Sequence, residues 1–263
     1  MIQDFATYIA QNWSRASWAV PALKSSNLSE LKDNYHWNGA TYLENQKELI
    51  ELSESLQGAL AKGLNPRART VCIDIFKWGG VLPKNYTGKL SNGNLIARST
   101  LAKKIDKETQ AGSLCEWILS SLETAKSGNF ERFNALGFVS NSSMTKIHAL
   151  ADPEERFVIY DSRVSAALGF LVKGFLRSKN INSTPDQLKF GYTPPSQSGR
   201  IRDPRDQNYD FTRYLRYDLH VKYNVLASQI CQQASEQLDG VSSRDIEASL
   251  FMLGQDLRQI VEP

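Results

Sequence analysis

Cysteine and histidine are sparse in this chain of 263 residues, and their placement excludes several chemistries at once. Cys72, Cys115 and Cys231 lie far apart in apolar surroundings, an odd and scattered set that makes no disulfide framework and no clustered iron–sulfur site. His36, His148 and His220 are equally dispersed and give no zinc spacing. Neither a metal nor another cofactor is expected. No apolar run approaches the roughly 20 residues needed to span a bilayer, and the N-terminal Met1, Ile2, Gln3 and Asp4 begin nothing like the basic flank and apolar stretch of a secretory leader. The expectation is a cytoplasmic protein with no membrane partner. Period-two alternation, internal repeats and low-complexity tails are also missing, which argues against a sheet protein and for an all-α fold.

What is present reads as helix. With 41% hydrophobic and 22% charged residues, the chain can bury a substantial core as one large domain or two intimate lobes. Leu49, Leu52, Leu56 and Leu60 form one apolar stripe. Ile246, Leu250, Leu253, Leu257 and Ile260 form another, behind a cap at Ser242 or Ser243. Residues 116–126 and 216–235 are further helix candidates, with Gly128 and Gly240 as stops.

Charge is distributed unevenly. Residues 61–107 hold ten basic side chains, Lys103 and Lys104 among them, against only Asp74 and Asp106, whereas residues 1–60 hold four basic against seven acidic. Such asymmetry suits a polyanion-binding face, since each phosphate met by a cation releases counterions, and suits a plain solvated helix surface equally.

The most informative stretch is residues 157–175. Phe157, Val158, Ile159 and Tyr160 are β-branched or aromatic and should be extended and buried, while Val164, Leu168, Leu171 and Phe175 follow at helical spacing. Asp161 sits at the join. The plain reading makes it an N-cap that accepts hydrogen bonds from free backbone N–H groups; the functional reading adds a carboxylate held rigidly at a cleft edge, facing a developing positive charge.

Upstream, residues 129–136 predict a short helix, Gly137 to Ser143 a tight polar connection, and residues 144–150 a second helix. This helix-hairpin-helix outline, followed by the apolar segment and the Asp161-x-x-Val164 helix start, resembles the helix-hairpin-helix DNA glycosylases. The nearest branch is the 8-oxoguanine glycosylase-like one, and more narrowly the bacterial glycosylase-fold proteins that act against phage DNA. The likeness covers about residues 130–175. Where the family hairpin carries Gly-x-Gly, this chain has Ser140, Asn141, Ser142 and Ser143. Asn tolerates a left-handed backbone and serine hydroxyls bond phosphate, so Asn141, Ser142 and Ser143 become DNA-binding candidates.

The resemblance implies one glycosylase-like unit over residues 1–263. Its inner helical lobe would span residues 70–150 and end in the hairpin. A second lobe would form from residues 1–69 and 151–263, with a cleft between the two. It implies a monomer acting on double-stranded DNA, flipping out and excising a modified or damaged base, in repair or in defence against phage. Asp161 would stabilise an oxocarbenium-like transition state, and Lys146, near the start of the second hairpin helix, would supply an amine nucleophile if the enzyme is also a lyase. Trp78 and Tyr86, aromatic residues around the Gly79–Gly80 break in the basic segment, would stack on the extruded base or fill its gap; Trp78 reads equally as core. In the Pro- and Gly-rich stretch 191–208, Arg200, Arg202 and Arg205 would clamp phosphate or read a modified base, although Asp203, Asp206 and Asp210 nearly cancel their charge and a salt-bridged surface loop suits the stretch equally. A non-catalytic helix-hairpin-helix DNA-binding protein and a helical protein-interaction domain are the alternatives.

Overall fold

Side-chain caps mark the start of five of the helices. The computed structural model describes residues 1–82, 100–192, 199–213 and 216–262. Among these, the chain forms α1 (Ile2–Gln11), α2 (Leu28–Asp33), α3 (Tyr42–Ala61), α4 (Asn65–Trp78), α5 (Thr100–Gln110), α6 (Leu114–Lys126), α7 (Glu131–Ala135), α8 (Ser142–Ala151), α9 (Ser162–Ser178), α10 (Tyr217–Ser235) and α11 (Ser243–Leu253). Thr41 and Glu44 close a capping box on α3, Ser242 and Asp245 close one on α11, and the Asn27 side chain accepts the Glu30 N–H at the start of α2. Sheet is confined to two two-stranded pieces, an antiparallel β1 (His36–Trp37) with β2 (Ala40–Thr41) and a parallel β3 (Gly191–Tyr192) with β4 (Thr212–Arg213). The protein is mostly helical. No helix among the described residues is long and apolar enough to cross a membrane.

The C-terminal stripe ends earlier than its periodicity predicts. Helix α11 stops at Leu253, and Leu257 begins a separate single turn of 3-10 helix. The reason is Gly254: a Cβ there would lie 1.8 Å from the Arg163 carbonyl oxygen, so the chain passes α9 closer than any side chain permits. Asn141 likewise departs from the left-handed conformation its residue type allows. It is extended at φ −156°, and the left-handed residue of that connection is Gly137 at φ 66°.

Buried apolar side chains gather in two clusters. One unites Phe5, Ile9, Leu28, Leu31, Leu168, Phe175, Ile230 and Leu250, from α1, α2, α9, α10 and α11. The other unites Leu56, Val71, Ile105, Ile118 and Ile147, from α3, α4, α5, α6 and α8. The three cysteines are buried free thiols.

Between the clusters runs the segment that precedes Asp161, which joins neither helix nor sheet. Phe157 and Ile159 belong to the second cluster, Val158 and Tyr160 to the first, so its period-two alternation is read by a different core on each side. Lacking a ladder, its backbone bonds to side chains instead. The N–H groups of Val158, Ile159 and Tyr160 donate to Ser228 Oγ at 3.0 Å, Glu247 Oε2 at 2.9 Å and Thr145 Oγ1 at 3.2 Å. Asn224 Nδ2 donates to the Val158 carbonyl and Thr145 Oγ1 to that of Tyr160. Buried backbone polar groups demand such partners, and α8, α10 and α11 each contribute.

Candidate functional site

Asp161 closes the N-terminus of α9. Its Oδ1 accepts the N–H groups of Arg163 at 2.8 Å and Val164 at 3.1 Å, while Oδ2 makes no hydrogen bond among the described residues. One oxygen anchors the carboxylate and the other stays available. The capping geometry fixes its direction as well as its place.

Lys146 stands on α8 with only 6% of its surface exposed. Nζ donates to the Ser142 carbonyl at 2.9 Å and forms no ion pair among the described residues. Burial pushes the amine below its usual value, with Asp161 and Glu247 opposing the shift and Arg163 adding to it. The stem lies against Gly79 at the end of α4: a Cβ on that glycine would be 2.6 Å from Lys146 Cε. Gly79, which in sequence reads as part of a mere break, therefore makes room for the lysine.

Buried groups surround this pair. His220, whose Nδ1 lies 3.0 Å from Ser140 Oγ, packs edge-on against Tyr160; burial and then Lys146 push its pKa down to about 4. Glu247, buried on α11, accepts from Ile159 N–H and from Arg244 Nη1 at 2.9 Å, and Arg244 Nη2 donates to the Ala149 carbonyl at the end of α8. Burial raises the Glu247 pKa, with Arg244 pulling the other way. One acid–arginine pair thus ties the helix bearing Lys146 to the segment that delivers Asp161.

Three arginines stand on the other side of Asp161. The Arg163 guanidinium lies in the corner made by the perpendicular rings of Trp37 and Phe251, 4.8 and 4.2 Å from the ring centres. Arg202 donates to Ser162 Oγ at 2.7 Å and to the Gln255 carbonyl at 3.3 Å; Arg200 is exposed. Arg163 escapes a motif-led reading of the sequence. Its signal is nonetheless visible, because Asp161 and Arg163 are the sole charges between Phe157 and Val172.

The remaining candidates are placed as follows. Asn141 Oδ1 caps α8 by accepting the N–H groups of Ser143 and Met144, each at 3.0 Å, which commits its carbonyl to the helix. The hydroxyls of Ser142 and Ser143, half-buried, make no hydrogen bond among the described residues. Trp78 is buried in the second cluster with its indole N–H on Asn45 Oδ1 at 2.9 Å, and its edge lines a pocket of about 360 Å³ together with Trp37, Asp74 and Lys77. Tyr86 lies outside the described residues, as do Lys84, Lys89 and Arg98 of the basic segment. On α5, Lys103 is exposed and has no ion-pair partner among the described residues, whereas Lys104 pairs with Glu108 at 2.9 Å and lies over the Trp117 ring. Arg69 and Lys77 are likewise paired, with Asp106 and Asp74. The structure thus gathers Asp161, Lys146 and Arg202 around the start of α9, while α5 packs against α4 and α6.

No family model, curated protein or solved structure matches the chain.

Proposed function

We propose that the chain is a DNA glycosylase in which Asp161 and Lys146 carry the chemistry. The observation that carries this reading is a desolvated lysine amine, lowered in pKa, within the field of a carboxylate that is anchored by one oxygen and keeps the other free. Breaking the bond between base and deoxyribose builds positive charge on the sugar. A fixed carboxylate stabilises that charge where it develops, without reorganising. A neutral amine attacking the anomeric carbon displaces the base and leaves a Schiff base, from which β-elimination cuts the strand. Depressing the lysine pKa raises the neutral fraction that can attack.

In this reading α7, α8 and the connection between them form the helix-hairpin-helix element, and the unbonded hydroxyls of Ser142 and Ser143 meet backbone phosphate. The extruded base enters a cleft between two helical lobes beside Arg200 and Arg202, and Lys103 on α5 meets more distant phosphate. The biological setting is base excision, in repair or against phage DNA with modified bases.

The test is incubation with a panel of duplexes that carry modified bases, followed by hot-alkali detection of abasic sites. Asp161→Asn keeps a capping oxygen and removes the charge, so it should fold, bind DNA and excise nothing. Near-normal excision by a folded Asp161→Asn variant would overturn the assignment.

A further inference from the structure

The arginines beside Asp161 are arranged unlike most others in the molecule. Arg69, Arg156, Arg177, Arg205, Arg216, Arg244 and Arg258 each pair with a carboxylate. Arg163, Arg200 and Arg202 pair with none among the described residues, although Arg163 and Arg202 are partly buried. Of the nearby acids, Asp161 commits Oδ1 to the start of α9 and hydrogen-bonds none of these arginines, and Asp256 makes a two-pronged bond with Arg258 at 3.0 and 2.6 Å.

Arg163 is the clearest case. The rings of Trp37 and Phe251, set edge to face against each other, form an aromatic corner over its guanidinium, yet none of its five N–H donors makes a hydrogen bond among the described residues. The aromatic contacts hold the group in place and leave its donors idle. Burial lowers its pKa; the Asp161 charge opposes the shift without reversing it, and the neighbouring Arg202 and Arg200 add to it. A like-charged, partly desolvated group with idle donors is unfavourable until an anion supplies acceptors and opposing charge.

We propose that Arg163, Arg202 and Arg200 form a phosphate-binding site at the start of α9, with Arg163 as its two-pronged contact and Arg202 held in place by Ser162 and the Gln255 carbonyl. Naming the occupant as a backbone phosphate of DNA rests on the function proposed above. The site would then grip the phosphate beside the nucleotide presented to Asp161, placing the sugar by its neighbour. A small phosphorylated compound offers the same chemistry.

Two arms separate these sources. In the first, thermal unfolding of the full chain is compared in inorganic phosphate and in chloride at equal ionic strength. Phosphate should raise the wild-type midpoint, and Arg163→Gln should abolish the rise. Arg202→Gln, which leaves the contacts of Arg163 with Trp37 and Phe251 untouched, should reduce it. In the second arm, single phosphates of a bound duplex are replaced in turn by neutral methylphosphonate. One position should weaken wild-type binding about tenfold or more, the worth of a charged hydrogen bond, and have no further effect in Arg163→Gln or Arg202→Gln. Phosphate stabilisation through these arginines without DNA binding supports the site, assigns it to a small phosphorylated ligand and removes the DNA reading. A phosphate effect unchanged in both variants, or none in any protein together with fully additive losses on the duplex, overturns the site.

Discussion

The Glu247 carboxylate accepts the Ile159 backbone N–H at 2.9 Å, so an acid on the last helix fixes the segment that ends in Asp161. Arg244, paired with the same carboxylate, reaches the end of α8 at the Ala149 carbonyl. Glu247→Ala strands both a buried N–H and a buried guanidinium, and should destabilise the fold by about 3 kcal/mol. Glu247→Gln keeps an acceptor and should lose less. Urea unfolding of the two variants checks the order, and equal losses would show that the acceptor is unimportant.

Borohydride reduction during turnover distinguishes amine attack from water attack. With Lys146 lowered in pKa by burial, a covalent protein–DNA adduct should form at neutral pH and vanish, together with strand cleavage, in Lys146→Gln. Excision with no adduct on a substrate that is demonstrably turned over would leave Asp161 acting with water.

DNA affinity should fall with rising salt, by a slope of about 0.9 per phosphate neutralised. Lys103 is exposed and has no ion-pair partner among the described residues, whereas Lys104 is held by Glu108, so Lys103→Glu should flatten the slope more than Lys104→Glu. Binding isotherms at several salt concentrations decide this; an unchanged slope in Lys103→Glu places that lysine on an outer face.

Acid should destabilise the protein well above the carboxylate range. Burial pushes His148 down to about 3 and His220 down to about 4, from an ordinary value near 6.5. Because the unfolded chain takes up these protons first, their contribution is full above pH 6.5 and is lost as the pH falls toward 4 and then 3. By pH 5 each histidine should account for about 2 kcal/mol of lost stability. Denaturant midpoints at pH 7.5 and 5.0 measure the difference, and it should shrink by roughly half in a folded His148→Gln variant. Equal stability at both pH values would contradict the assignment.

Local chemistry was legible in the sequence and distant packing was not. A carboxylate followed by an apolar helical run announces a cap, and Asp161 is one. The helical character follows from stripes such as Leu49, Leu56 and Leu60, all buried. The end of α11 was misread because the apolar spacing continues past Gly254, and only the Arg163 carbonyl explains the stop. Lys146 gave no sign of its burial, which depends on Gly79 at the end of α4. Arg163 owes its posture to Trp37 and Phe251, neither of them near it in the chain. Charge counting over residues 61–107 could not separate Lys103 from the lysines and arginine that the fold pairs with acids.

The unladdered segment before Asp161 has a consequence for how the molecule opens. Its four side chains are divided between two cores and three of its amides are held by side chains of three helices. Neither core can loosen locally without uncovering apolar surface that belongs to the other. Amide exchange at Val158, Ile159 and Tyr160 should therefore wait for whole-molecule unfolding and be the slowest in the chain, a clock for global stability placed one residue away from the carboxylate.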